Sequence, residues 1–277
     1  METSWFDAWL NGASTIGALG LLLVLMAVAA FLGHLLRNRR DPASQSETQE
    51  GYIVSGVLGL LALLLGFTFS LAVDRYETRR ERVLEGANAI GTAYLRSQLL
   101  GEPHRTRIGN ILVAYTDNGI QLARSDSASD KARMLAKDDA LITELWAATA
   151  AGFDSIRNID FSSTFVESIN NLIDMDASRR TARAAHVPGA VFFVLFVYLI
   201  GTGGVLGYVI GGFGGRLAAT FLMLLTVLAL ALILDVDRAS MGMVREPQTA
   251  MQDLQKSLNA WQAVGFERWR TPIPATP

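Results

Sequence analysis

Side chains able to do chemistry are few and scattered in this sequence. The three histidines, His34, His104 and His186, are far apart, and there is no cysteine. Disulfides, thiolate metal sites and thiol nucleophiles are therefore excluded. No HExxH, GxSxG or Walker loop occurs, so no enzyme is expected and no cofactor is implied. Asp235-Val-Asp237-Arg238 places two carboxylates beside a guanidinium. A hard cation needs about six oxygens, and Arg238 competes for these two. The plainer expectation there is an ion pair, and no metal site is expected.

The most informative stretch is LLGFTFSLAVDRYETRR, residues 64–80. It is uncharged from Leu64 to Val73, and then Asp74, Arg75, Glu77, Arg79 and Arg80 follow within seven residues. On a helix Gly59, Leu63 and Phe67 share one face, with Ser70 or Leu71 a turn further on. Turned inward in an oligomer, that face makes an apolar constriction that can gate by dewetting. Arg75, Arg79 and Arg82 beyond it would draw anions to the mouth. The competing expectation is packing, with Phe67 against lipid or another helix and the arginines paired to Glu77, Glu81 and Glu85. Phe69 points roughly 200° from Phe67 on a helix and belongs to packing.

Four apolar blocks must position these residues. Residues 15–36 contain one ionisable side chain, His34, while 52–73, 187–210 and 217–234 contain none. An uncharged run of about 18 or more can cross the hydrocarbon core as a helix. The chain is 51% hydrophobic and 18% charged. The expected fold is all-α and polytopic, with four transmembrane helices in contact with membrane lipid. The leader carries Glu2 and Asp7 without Lys or Arg, unlike a cleaved signal. Trp5, Phe6 and Trp9 fit an interfacial anchor. A net charge of −2 argues against nucleic acid as a partner.

Two hairpins bracket one polar insert. Residues 37–51, with Pro42, join the first pair of spans, and a Gly-rich turn at 211–216 joins the second. The domains read as 1–73, 74–185, 186–237 and 238–277. Within the insert, 104–124 puts Ile108, Ile111, Leu112, Tyr115, Gly119 and Leu122 on one face. Residues 128–151 do so with Leu135, Leu141, Leu145 and Ala148, and 160–185 with Phe161, Phe165, Ile169, Leu172 and Ile173. Ser127, Ser129 and Asp160 are candidate caps, and Gly101–Pro103 is a break. No proline lies between Leu60 and Leu95, so one helix of about 45 residues, ~65 Å long, is expected from Tyr52.

Gly203, Gly207, Gly211 and Gly215 recur every four residues. Such a stripe lets helices approach closely in lipid; a hinge is the other reading. Arg75, Arg79, Arg80, Arg82, Arg179, Arg180, Arg183, Arg238 and Arg245 flank the spans on one side, against Arg37, Arg39, Arg40 and Arg216 on the other. The excess puts the insert and both termini in the cytoplasm, although the short 37–51 loop opposes this.

The segment LLGFTFSLAVDRY resembles the second transmembrane helix of bestrophins, with its L-G-F-x-x-x-L-x-V-x-R-aromatic pattern. Over most of its length the chain resembles a bacterial membrane family labelled bestrophin-like. Residues 64–100, the two-hairpin layout and LILDVDRASMGMV (232–244) carry that likeness. The resemblance implies a pentameric homo-oligomer in the bacterial inner membrane that passes small anions such as chloride. It carries the neck onto Phe67, Leu63 and Gly59, where Gly59 departs by offering no side chain. Asn88, in EGANAIGTAY, would face the vestibule and donate its amide to a dehydrated anion. DVDR lacks the acidic run of the Ca²⁺ clasp of animal bestrophins, so Ca²⁺ gating is not expected. The alternative is a non-conducting scaffold whose insert binds a partner through Asp130, Lys131, Lys137 and Asp138.

Overall fold

The computed structural model describes residues 14–39, 47–125, 127–238 and 244–266. Trp5, Phe6, Trp9, Arg40, Pro42 and Trp269 lie outside the described residues. The helices are α1 (Thr15–Asn38), α2 (Glu47–Ser97), α3 (His104–Arg124), α4 (Ala128–Ile156), α5 (Phe161–Ala184), α6 (Gly189–Val209), α7 (Gly212–Asp237) and α8 (Thr249–Val264). The described residues contain no strand, so the all-α expectation holds.

The chain divides into two compact units, Met1–Tyr76 with Ala185–Val244, and Glu77–Ala184 with Arg245–Pro277. The first unit holds α1, the start of α2, α6 and α7. Four segments among the described residues are long and apolar enough to cross a membrane: α1, α2, the segment ending in α6, and α7. Leu22, Met26, Leu61, Phe192, Leu199, Leu230 and Ile233 form this unit's core. Other apolar side chains face outward, among them Leu228 at 65% exposure, as a lipid-facing surface requires.

A close backbone approach in this unit joins α1 to α6. A Cβ on Gly203 would lie 2.7 Å from the Met26 carbonyl oxygen. One on Gly207 would overlap the Ala30 carbonyl, and one on Gly33 the Gly204 carbonyl. From Met26 at Gly203 to Ala30 at Gly207, and on to Gly33 beside Gly204 and Tyr208, α1 and α6 advance in the same direction and run parallel.

The remaining two glycines of the expected stripe behave differently. α6 ends at Val209 and α7 begins at Gly212, so the turn is shorter than the predicted 211–216. Gly212 adopts φ +73, a conformation that favours glycine. Gly211 lies against the Arg37 guanidinium and Gly215 against the Ile210 side chain. The fourfold repeat thus crosses a helix break, and of its four glycines only Gly203 and Gly207 meet the backbone of α1.

The second unit packs α3, α4, α5, α8 and the rest of α2 around Ile90, Tyr94, Ile108, Leu112, Leu145, Phe165, Ile169 and Met251. The predicted apolar faces of α3 and α5 point inward. Leu135 does not, at 37% exposure, because ten residues from Leu145 leave it about 80° off that face. Ser127 caps α4 by accepting from the Asp130 amide at 3.3 Å. Ser129 is already inside the helix, where its hydroxyl meets that of Ser127. The tail helix α8 docks on its own chain: Met251 and Leu258 are buried, and Trp261 stacks on Tyr94 at 5.7 Å.

Candidate functional site

The long helix α2 carries the candidate site. Nothing in its sequence stops it: it lacks proline, and each glycine costs only about 1 kcal/mol relative to alanine. Its 51 residues extend about 75 Å, so the expected unbroken helix is present. Along the membrane stretch one face is packed. Leu61, Thr68 and Ala72 are buried, and Leu58 and Leu65 are partly so. Tyr198 of α6 donates its hydroxyl to the Val57 carbonyl at 3.1 Å.

The opposite face is open. Leu63 is 52% and Phe67 63% exposed, and a Cβ on Gly59 would meet nothing within 4 Å. Ser70 is exposed as well. Phe69 points elsewhere and is itself 40% exposed. At about 100° per residue, the direction set by Leu63 continues through Asp74, Glu77, Glu81, Leu84 and Asn88, all exposed.

The arginines lie off this face. Arg75 falls about 120° and Arg79 about 160° from Leu63. Arg75 is half-buried and Arg79 is 1% exposed. The expectation that Arg79 shapes the potential at a pore mouth is therefore corrected: its helical phase turns the guanidinium into the protein. Arg80 pairs with Glu77 at 3.4 Å and Arg82 with Glu85 at 2.5 Å. Asp74 and Glu81 enter no ion pair among the described residues. Of the residues singled out in the sequence, Gly59, Leu63, Phe67 and Asn88 share the open face, and Arg75 and Arg79 do not.

In the DVDR segment the carboxylates also hold backbone amides, and Asp237 lies 3.5 Å from Nδ1 of His186. Asp237 accepts from the Val187 amide at 2.9 Å, and Asp235 from the Val244 amide at 2.9 Å. Arg238 donates to the Thr15 hydroxyl at 2.6 Å. These groups tie chain segments together at the end of α7. Among the described residues no group of three or more His, Asp or Glu could hold a metal.

A polar core in the second unit escaped the sequence reading. Tyr115 donates to Asp176 at 2.5 Å, Asp176 pairs with Arg180 at 2.7 Å, and Arg180 with Asp139 at 2.6 Å. Asn118 donates to Asp138 at 2.7 Å. Asp138 is 2% exposed, and burial pushes its carboxyl above the usual range. It therefore leaves the polar face proposed for partner binding. Its seven-residue spacing from Leu145 was the available signal, since that places both on one helix face. Arg179 threads between glycines: a Cβ on Gly86 would meet its Cδ at 2.9 Å, and one on Gly119 its Nη2 at 3.6 Å.

Four membrane-length apolar helices, among them the long α2 with its open face, define a polytopic α-helical membrane protein. Residues 20–245 match the bestrophin-like domain, and the chain belongs to that family. Its fold is similar to crystal structures of point variants of a bacterial bestrophin homolog from Klebsiella pneumoniae. One matches with a TM-score of 0.66 at 16% identity, covering 91% of this chain and 99% of that chain. Another matches with a TM-score of 0.64 at 18% identity, covering 90% and 100%. At these identities the likeness concerns the fold. None of the curated proteins matches the sequence.

Proposed function

We propose that this protein is an oligomeric ion channel whose pore is lined by the open face of α2. Subunits, five in the bestrophin arrangement, surround an axis with Leu63 and Phe67 as the apolar constriction and Gly59 as a wider ring. The observation that carries the reading is the exposure of Leu63 and Phe67 on the face opposite the packed side of α2. The arginine distribution along the chain supports an inner-membrane protein with the insert and termini in the cytoplasm. The reading assigns transport and no enzymatic step.

Family membership and the exposed Asn88 amide favour small anions such as chloride as cargo. A second reading has its own observation. Asp74, Glu77 and Glu81 follow Phe67 on the same face, while the nearby arginines are about 100° or more away. Rings of carboxylates favour cations.

The test is current or flux from purified protein in liposomes under a KCl gradient. Conductance is expected, and Phe67→Ala and Leu63→Ala should raise it by widening and wetting the constriction. Absence of conductance, or a conductance blind to both substitutions, refutes the pore assignment. Reversal towards the chloride potential supports anions. Reversal towards the potassium potential, abolished in Asp74→Asn/Glu81→Gln, supports the carboxylate reading.

A further inference from the structure

Where α1 ends and α7 begins, cationic side chains converge in an apolar surround. Arg37, in the last turn of α1, donates from Nη1 to the Val209 carbonyl at the end of α6. Its guanidinium would lie 3.1–3.3 Å from a Cβ on Gly211. Arg216, in α7, places Nη2 3.1 Å from Nε2 of His34, one turn back along α1. The Asn38 amide reaches the same ring nitrogen at 3.5 Å. Among the described residues, neither Arg37 nor Arg216 enters an ion pair. Two guanidiniums are thus held at one corner, and no carboxylate among the described residues pairs with either.

The surroundings say what kind of anion fits. Phe213 is 88%, Leu36 61% and Leu217 52% exposed, and these side chains flank the two arginines in the sequence. A water-soluble anion gains nothing from such a surface, whereas acyl chains do. Arginine at the end of a membrane-spanning helix reaches the depth of lipid phosphates, where each basic residue contributes about 1 kcal/mol of attraction to anionic lipid. The first turn of α7 adds to the positive field, since Gly211 supplies no side-chain cap. Cβ positions on Gly212 and Gly214 are open, so a headgroup can approach that backbone.

We infer that this corner binds the phosphate of an anionic phospholipid, with Arg37 and Arg216 as its charge partners and the acyl chains laid along Phe213 and Leu217. The inference is independent of ion conduction.

Native mass spectrometry of the full-length protein, titrated in detergent with phosphatidylglycerol or phosphatidylcholine, tests it. The wild type should retain phosphatidylglycerol in preference to phosphatidylcholine. Arg216→Gln should weaken retention about fivefold, the equivalent of about 1 kcal/mol per arginine, and Arg37→Gln/Arg216→Gln should abolish the preference. Arg216→Gln removes an exposed side chain and its contact with His34, and its thermal midpoint reports whether the fold is kept. Equal retention by wild type and Arg216→Gln overturns the inference. Displacement of phosphatidylglycerol by millimolar inorganic phosphate also overturns it, because the corner would then be a site for free anions.

Discussion

Alanine at Gly203 or Gly207 probes the contact on which the membrane unit is built. The ideal Cβ on Gly203 lies 2.7 Å from the Met26 carbonyl oxygen, where ordinary contact begins at 3.4 Å. The backbones of α1 and α6 must therefore part by about 0.7 Å. All the nearest atoms belong to the Met26 backbone, so no rotamer change relieves the overlap. A gap of about 0.5–1 Å forfeits roughly a quarter to a half of the dispersion well of each separated atom pair. In lipid, packing is the main force between helices. Overpacking costs about 1–3 kcal/mol, and the better helix propensity of alanine returns at most about 1 kcal/mol. Gly207→Ala belongs at the upper end, since its Cβ would overlap the Ala30 carbonyl. Gly59→Ala is the control, with nothing within 4 Å and an expected gain of about 0.5–1 kcal/mol. The assay is thermal unfolding in detergent, at about 2–4 °C per kcal/mol for a chain near this size. Gly207→Ala should unfold several degrees below Gly59→Ala. Identical midpoints for the two would refute the close approach of α1 and α6.

The remaining predictions concern the polar contacts. Asp138 has a raised carboxyl value in the fold, so its contribution to stability is complete below the ordinary carboxylate range and lost as pH rises through the raised value. Asp138→Asn keeps an oxygen for the Asn118 amide and cannot ionise. As pH falls from neutral towards the ordinary carboxylate range, the wild type should gain stability relative to this variant, and a stability difference independent of pH would reject the assignment. Asp237→Ala leaves the Val187 amide without its acceptor and should cost about 1–3 kcal/mol, with Asp237→Asn milder; unfolding midpoints of the pair decide. Gly86→Ala pushes on Arg179, which is 4% exposed, and should cost about 1–3 kcal/mol by overpacking, while Gly66→Ala, facing open space, should cost nothing in the same assay.

Much of the fold was legible in the sequence because the relevant signals are local. Uncharged runs mark membrane-length helices, since buried charge in lipid is costly. The absence of proline let α2 run on past the apolar block, and steps of three and four set the inward faces of α3 and α5. Helical phase on a single rod also separates Leu63 and Phe67 from Phe69, and it separates them equally from Arg79. Reading the arginines by their order in the chain, and not by that phase, is what placed Arg79 wrongly. The same lapse put Asp138 outside, although it shares a face with Leu145.

Other features depend on which helix meets which, and a period within one helix carries no information about its partner. That α1 runs parallel to α6 through Gly203, Gly207 and Gly33 follows from backbone shape complementarity between segments distant in sequence. The docking of α8 on Tyr94 and the capture of the Val187 amide by Asp237 are long-range contacts of the same kind. The open face of α2 is decided in the same way. Periodicity put Gly59, Leu63 and Phe67 together, but only the packing of Leu61, Thr68 and Ala72 on the other side left that face uncovered.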